Sequence, residues 1–461
     1  MKNPKHWLQG LRKDRIRSDF FRNVLITFSG TATASLVSLL LTPVVTRIFD
    51  PDDFGQVAFL IALTTNLGLL ATLAFPQALV MPRSRTTFYQ LVRLCLALLT
   101  LATVIILLAI LFKGESLLQL FNMTPLGKLI YLLPLFVFLN ELNRIAVNWN
   151  VRRKRFRANA YAGVTNNLSI RVAQIIYAFL VGPGLFGLLT GNITAYILRL
   201  WVLLHGQWKE LYRLLFRIRF AELKKVALVF QSYPRWIFPS ALIESVSASL
   251  PIYVLAIYYD ATTVGHFSFA QALLNHPYVM LSASVMPVFF QRANELYQKG
   301  LPELQDFALR IFRRLTTLGA IVFGAAIFFS DWILPFIFGE KWVTSGVFAG
   351  SLAIYLAFRF ISVPLLPIFR VLHKEQYDFL GSGSIFIFRV VSLFIGVRFF
   401  APETTILLFS VAGAMACLIN MLLIFSLLKM PVAKILLRTF LIFTGVFLFY
   451  WSLRQFLEWI I

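Results

Sequence analysis

Two cysteines and five histidines are all that the 461 residues offer for thiol chemistry, disulfides or soft metal ligation. Cys95 and Cys417 both sit inside apolar segments, and His6, His205, His266, His276 and His373 are scattered along the chain. No disulfide framework and no metal-ligand spacing follows from them, and neither a metal nor a cofactor is expected. Acidic residues are also scarce, 20 against 43 Lys and Arg. No G-x-x-x-x-G-K-[ST] occurs anywhere, which excludes ATP hydrolysis on a phosphate-binding loop of this chain. Long polar stretches are missing too: charged residues make up only 14%.

What fills the space is apolar. Hydrophobic residues reach 59% and the mean hydropathy is +0.78. Leu94–Phe112 contains no charged side chain. A run of about 20 such residues matches a hydrocarbon layer of about 30 Å, because a helix rises about 1.5 Å per residue. The net charge of +23 would suit nucleic acid, but the cations fall in short loops between apolar segments, where they set topology instead. No nucleic-acid partner is expected.

The apolar segments predict an all-α, polytopic membrane protein. Spans are expected at 22–48, 54–81, 88–112, 126–149, 160–181 and 184–204, and again at 229–258, 263–290, 307–330, 346–371, 378–400 and 403–428. A basic tail, 1–21, precedes them, with no small-residue cleavage site after it. A linker, 205–228, separates an N-lobe (22–204) from a C-lobe (229–428), and 429–461 adds a further hydrophobic helix. Alternate loops sort by charge. One set holds Arg83 and Arg85, the Arg152–Arg157 cluster, Lys209 to Lys225, Arg292 to Arg314, Arg370 with Lys374, and Lys429 to Arg438; the other holds only Arg47, Lys113, Lys128, Lys341, Arg398 and Arg454. The basic set and the N-terminus are therefore expected in the cytoplasm, and the alternation survives through twelve spans.

An internal echo supports two halves of like orientation. FDPDDFGQVAF (49–59) aligns with YDATTVGHFSF (259–269) through Asp50/Asp260, Gly55/Gly265 and Phe59/Phe269. Tyr161-Ala-Gly163 aligns with Phe379-Leu-Gly381, each followed at equal distance by Arg-Val: Arg171-Val172 and Arg389-Val390. Transporters built from repeats hold substrate between the halves near the midplane.

Ionisable residues left inside spans are Arg93, Arg144, Arg171, Arg199, Arg235, Arg359 and Arg389, with Glu141 and Glu244. A charge at the bilayer centre costs at least about 2.5–3.5 kcal/mol, so such groups face a cavity or a partner. Arg93, Arg199 and Arg235 lie near a cytoplasmic end and can snorkel. Arg171, Arg359, Arg389 and Glu244 fall mid-span. They are expected either in a cavity or in a buried ion pair, such as Glu244 with an arginine. Glu141 and Arg144 share a helix face and can neutralise each other; in the repeat, Glu141 corresponds to Arg359. Arginine binds phosphate oxygens in bidentate fashion and stays charged where water is scarce, so Arg171, Arg359, Arg389 and Arg144 are the expected substrate-binding residues for an anion such as a diphosphate. Glu141 and Glu244 are the candidates for ion coupling or charge partnership. Tyr161, Tyr177, Tyr196, Trp236, Tyr253 and Tyr355 could stack on sugars or simply pack. Pro43, Pro134, Pro239, Pro251, Pro287, Pro364 and Pro367 mark possible bends.

Five segments, in order, carry a resemblance: TPVVTRIFDPDDFGQ (42–56), NWNVRRKRFRANAYAG (148–163), GPGLFGLLTGNI (182–193), IFGEKWVTSG (337–346) and FRFISVPLLPIFRVLHKEQYDFL (358–380). They resemble the polysaccharide repeat-unit flippases (O-antigen and exopolysaccharide) of the multidrug/oligosaccharidyl-lipid/polysaccharide exporter superfamily. The resemblance implies a bacterial inner-membrane transporter with two six-helix lobes around a cationic cavity. Its substrate would be an undecaprenyl-diphosphate-linked oligosaccharide, moved from the cytoplasmic to the periplasmic leaflet by alternating access, with a polysaccharide polymerase and a chain-length regulator as candidate protein partners. Arg359 sits on a family-like motif; Arg171 and Arg389 rest on depth and repeat position. Phe75-Pro76-Gln77 departs from the charged Arg-Tyr-Glu-like stretch of many relatives, which removes any role borrowed from that site. The competing classes are a membrane polymerase or ligase, which would need larger outer loops, a peptidoglycan-precursor flippase, with fourteen spans, and a drug/cation antiporter, with acidic cavity residues.

Overall fold

The computed structural model describes residues 37–215 and 220–460. The basic tail 1–21, the first part of the initial span, Arg217 and Arg219 lie outside the described residues. Within them the protein is all-helical, with no strand.

Helix α1 is Val37–Ile48, followed by α2 (Pro51–Thr72), α3 (Phe75–Ala78), α4 (Arg85–Leu120), a 3₁₀ segment (Thr124–Leu132), α5 (Leu133–Arg152), α6 (Phe156–Leu180) and α7 (Leu185–Leu204). The linker forms α8 (Trp208–Leu215) and α9 (Phe220–Val229). A π-turn at Tyr233–Ile237 opens α10 (Phe238–Tyr258), and α11 (Ala261–Tyr297), α12 (Leu301–Phe338), α13 (Val343–Ser362), the short α14 (Pro367–Val371), α15 (Glu375–Phe399), α16 (Pro402–Leu427) and α17 (Val432–Ile460) complete the chain.

Local chemistry sets the ends. Ser84 caps α4 by accepting from Thr87 N at 3.0 Å, and Asp260 caps α11 by accepting from Thr263 N at 2.7 Å. Three helices instead close through a left-handed basic residue, Lys154 (φ 58°), His373 (φ 54°) and Lys429 (φ 54°). Each is followed by a residue whose N–H reaches back five positions, as Arg155 N does to Asn150 O at 2.9 Å. A cation beside the last carbonyls also opposes the negative end of the helix dipole.

One span expected as continuous, 54–81, is interrupted. Leu73 and Ala74 adopt φ of 47° and 61°, and α3 starts afresh with Pro76 in its first turn. Pro76 has no N–H to offer the Thr72 carbonyl, so the helix cannot run through.

Among the described residues, nine helical segments are long and apolar enough to cross a membrane. The segment α6, with 25 residues, has the length but is not among those nine. Polar residues inside it, such as Asn166, Asn167 and Arg171, lower its hydropathy.

The chain forms two compact units, one of residues 59–249 with the described residues up to Phe49, the other of residues 50–58 and 250–461. In the first, α6 packs on α7 through small residues: a Cβ on Gly191 would stand 2.4 Å from Gln174 Cγ, and one on Gly187 2.8 Å from Tyr177 Cδ1. In the second, α12, α13 and α16 surround a core of Phe312, Phe360, Phe425 and Leu356, into which Phe443 of α17 also inserts. Here the two glycines of the sequence echo meet. A Cβ on Gly55 would lie 1.8 Å from the Ala261 carbonyl oxygen, and one on Gly265 1.7 Å from that of Pro51. Lys341 closes the same corner with a 2.9 Å ion pair to Asp50. The extra C-terminal helix α17 is one continuous segment of 29 residues. It docks through Arg454 on Asp331 at 2.9 Å and Tyr450 on the Ile321 carbonyl at 3.0 Å.

Candidate functional site

In the first unit Glu141 is fully buried on α5. Arg144, one helical turn on and 31% exposed at its side chain, bonds Glu141 Oε1 at 2.9 Å. Thr72 Oγ1 lies 3.0 Å from Glu141 Oε2, immediately before the break in α2. Gly68 makes room for the carboxylate, since a Cβ there would come within 2.6 Å of Oε1. The arrangement is a compensated pair with one cationic edge left partly open.

Arg171 lies partly buried on α6. Its Nη1 donates to Gln174 Oε1 at 3.2 Å, and the buried Gln174 is itself anchored on the Leu188 carbonyl at 3.4 Å. Among the described residues Arg171 has no carboxylate partner. A neutral amide orients the guanidinium and leaves its charge uncancelled.

In the second unit two arginines converge on one ring. Arg389 of α15 stands 4.5 Å from the Tyr355 centroid and 5.2 Å from that of Phe409. Arg359 of α13 stands 5.7 Å from the same tyrosine. Tyr355 is only 4% exposed and presses against Gly413, where a Cβ would meet its Cδ2 at 2.6 Å. Aromatic faces attract guanidinium without removing its charge, worth about 0.5–2 kcal/mol per contact. Among the described residues Arg389 has no carboxylate partner, and its buried Nε has no hydrogen bond.

Of the two places expected for Glu244, a buried ion pair is not the one it takes. It is exposed on α10 and, among the described residues, makes no ion pair, so it is not the buried partner of an arginine. Of the three arginines expected to snorkel, Arg93 contacts Glu222 of the linker at 3.6 Å. Arg199 has a buried Nε without a partner, and Arg235 lies 5.9 Å from the Trp236 ring.

The linker is tied to its own unit. Arg153 bonds Glu210 at 2.5 Å, and Tyr89 donates to the same carboxylate. Partial burial pushes the Glu210 carboxyl up, but the hydrogen bonds from Arg153 and Tyr89, with the charges of Arg153 and Arg85, outweigh it and hold the group below the usual carboxylate range.

Sequence reading named the arginines but not what holds them. Tyr355 was legible as a sugar contact or a packing residue; its spacing of four from Arg359 was the available signal for a shared face. Gln174 and Thr72 carried no signal, because polar residues at such spacing are common in spans.

A profile of the polysaccharide biosynthesis protein family matches residues 44–346. The succinoglycan biosynthesis transport protein ExoT of Rhizobium meliloti is 23% identical over 345 residues, covering 72% of this chain. The match spans 65% of that protein's own length, slightly under two thirds. Among solved structures, the lipid II flippase MurJ in an inward closed conformation superposes with a TM-score of 0.66 over 92% of this chain and 98% of its own, at 15% identity. An inward-facing multidrug resistance MATE family transporter of the MOP superfamily gives 0.64 over 88% and 99%, at 13% identity. At such identity these two likenesses concern the fold. The all-α membrane fold expected from the apolar runs is thus the one these transporters share, and the chain belongs to the polysaccharide biosynthesis protein family, as a polytopic membrane protein with a transporter fold.

Proposed function

We propose that this protein is a flippase that carries undecaprenyl-diphosphate-linked oligosaccharide repeat units from the cytoplasmic to the periplasmic leaflet of a bacterial inner membrane, with its N-terminus in the cytoplasm. One observation carries the reading: Arg171 and Arg389, equivalent in the repeat, have no carboxylate partner among the described residues. A cation held in a membrane span without an acid is costly, and an anionic substrate that supplies the missing charge offsets that cost. The guanidinium fork suits the two phosphates of a lipid diphosphate. Arg359 and Arg144 add to the cationic surface, with Glu141 and Glu244 as its acidic counterparts or ion-coupling groups. The N-lobe (22–204) and C-lobe (229–428) would alternate access, while the polyprenyl tail stays in the bilayer. Membership of a polysaccharide biosynthesis family and a fold shared with a lipid-precursor flippase support the same substrate class.

The test is deletion of the gene in its host, followed by leaflet-resolved analysis of lipid-linked sugars. Single complete repeat units accumulating on the cytoplasmic side, without surface polymer, are the expected outcome. Single units reaching the periplasmic face and failing to polymerise would assign the chain to polymerisation instead.

A further inference from the structure

The α5–α6 turn and the last turn of α7 enclose a groove of about 570 Å³ that the transport reading leaves unused. Its lining is cationic through Lys154, Arg155 and Arg157 and aromatic through Phe156, Tyr161 and Trp201. No acidic residue lines it. Arg155 is committed to the structure, donating to the His205 carbonyl at 3.1 Å and so joining the turn to α7. Lys154 and Arg157 are exposed and, among the described residues, make no ion pair. Tyr161 is 66% and Trp201 56% exposed. Just beyond Trp201 on α7, Ile197 and Leu198 also expose large apolar surfaces, as a helix facing acyl chains does.

We propose that this groove binds the phosphate headgroup of an anionic phospholipid from the leaflet that meets the α5–α6 turn. Charge complementarity selects the headgroup: two unpaired cations and no acid favour a phosphate that carries net charge over a zwitterionic one. The aromatic lining selects a lipid over free phosphate. Tyr and Trp place an apolar body and a polar tip at the depth where headgroup meets acyl chain, whereas inorganic phosphate gains nothing from an aromatic surface. The tilted Trp201–His205 pair, with centroids 5.5 Å apart, keeps that lining in position. The inference stands independently of what the protein transports.

The experiment compares the intact protein with a Lys154→Gln, Arg157→Gln variant in nanodiscs, reading retained lipids by native mass spectrometry. Phosphatidylglycerol retention should fall about twenty-five-fold, at about fivefold per basic residue near a membrane surface, with phosphatidylcholine unchanged. A Lys224→Gln, Lys225→Gln variant, removing equal charge from α9, should retain phosphatidylglycerol normally. Equal losses in both variants would overturn the site in favour of diffuse attraction. Displacement of the phospholipid by undecaprenyl diphosphate, at lower concentration than by added phosphatidylglycerol, would overturn it in favour of a substrate-loading station. Inorganic phosphate binding with the same affinity would overturn the lipid assignment. If the variant misfolds, quenching of Trp201 by brominated phosphatidylglycerol in the unmodified protein, read against Trp201→Phe, decides instead: quenching specific to the anionic lipid is expected, and equal quenching by brominated phosphatidylcholine refutes it.

Discussion

The two halves of this protein treat equivalent positions in opposite ways. At one repeat position the first half has Glu141, buried and paired with Arg144 at 2.9 Å, whereas the second has Arg359 beside an aromatic ring. At the other position both halves have arginine, but Arg171 is oriented by an amide and Arg389 by two rings. The first half thus spends one of its deep charges on internal compensation, while the second concentrates cations over Tyr355. A repeat therefore conserves where charge sits more than which charge it is. The physical reason is that a helix position facing a polar interior tolerates either sign, provided a partner or ligand is in reach.

The substitution with the largest expected effect is Arg389→Ala. Loss of a charge-assisted contact of about 2–3 kcal/mol corresponds to roughly 30–150-fold slower export, measured as surface polymer at matched protein levels. Arg389→Lys should recover little, because an ammonium cannot fork across a diphosphate, and Arg171→Ala should cost less. Equal losses at both positions would erase the contrast between the halves.

Arg144→Ala probes the compensated pair. It leaves Glu141 buried beside Thr72 without its cation and should lower stability by about 3 kcal/mol, whereas Glu141→Gln, which keeps a hydrogen-bonding group next to Thr72, should cost about 1 kcal/mol. Thermal unfolding in detergent measures both. A harmless Arg144→Ala would show that Glu141 is held neutral without it.

Gly265→Ala tests the echo directly, since its Cβ would stand 1.7 Å from a backbone carbonyl. The helices must separate there, at about 1–3 kcal/mol for overpacking, and a lower melting temperature should follow. The half-buried Gly383, with open space around its would-be Cβ, should accept alanine without loss.

The smallest effect concerns the linker. The Glu210 carboxyl is held below its usual range in the folded protein, so its contribution is complete above that range and disappears as pH falls through the folded-state value. An exposed pair of this kind contributes about 0.2–1 kcal/mol. Glu210→Gln should remove that part of the acid dependence of stability and leave neutral-pH export near normal.

Much was legible before any coordinates. Apolar runs located the helices because a bilayer allows only internally hydrogen-bonded segments, and even α17 appears within 429–461, where a further hydrophobic helix was expected. The alignment of Gly55 with Gly265 was visible as well, although not that the two would touch. The break after Thr72 was not visible: Pro76 hints at it, but a left-handed Leu73 and Ala74 have no sequence signature. For Glu244, depth in a span left a cavity and a buried ion pair both open, and only the structure shows the side chain exposed.

By itself the sequence determined the class, the apolar segments that become helices and the arginine inventory, since each follows from local hydropathy and spacing. Only the tertiary structure decided which charges are cancelled. Whether an arginine meets a glutamate, an amide or a ring depends on helix rotation and on contacts between residues far apart in the chain, such as Thr72 with Glu141 or Arg389 with Tyr355. Periodicity along one helix carries no information about what the neighbouring helix presents to it.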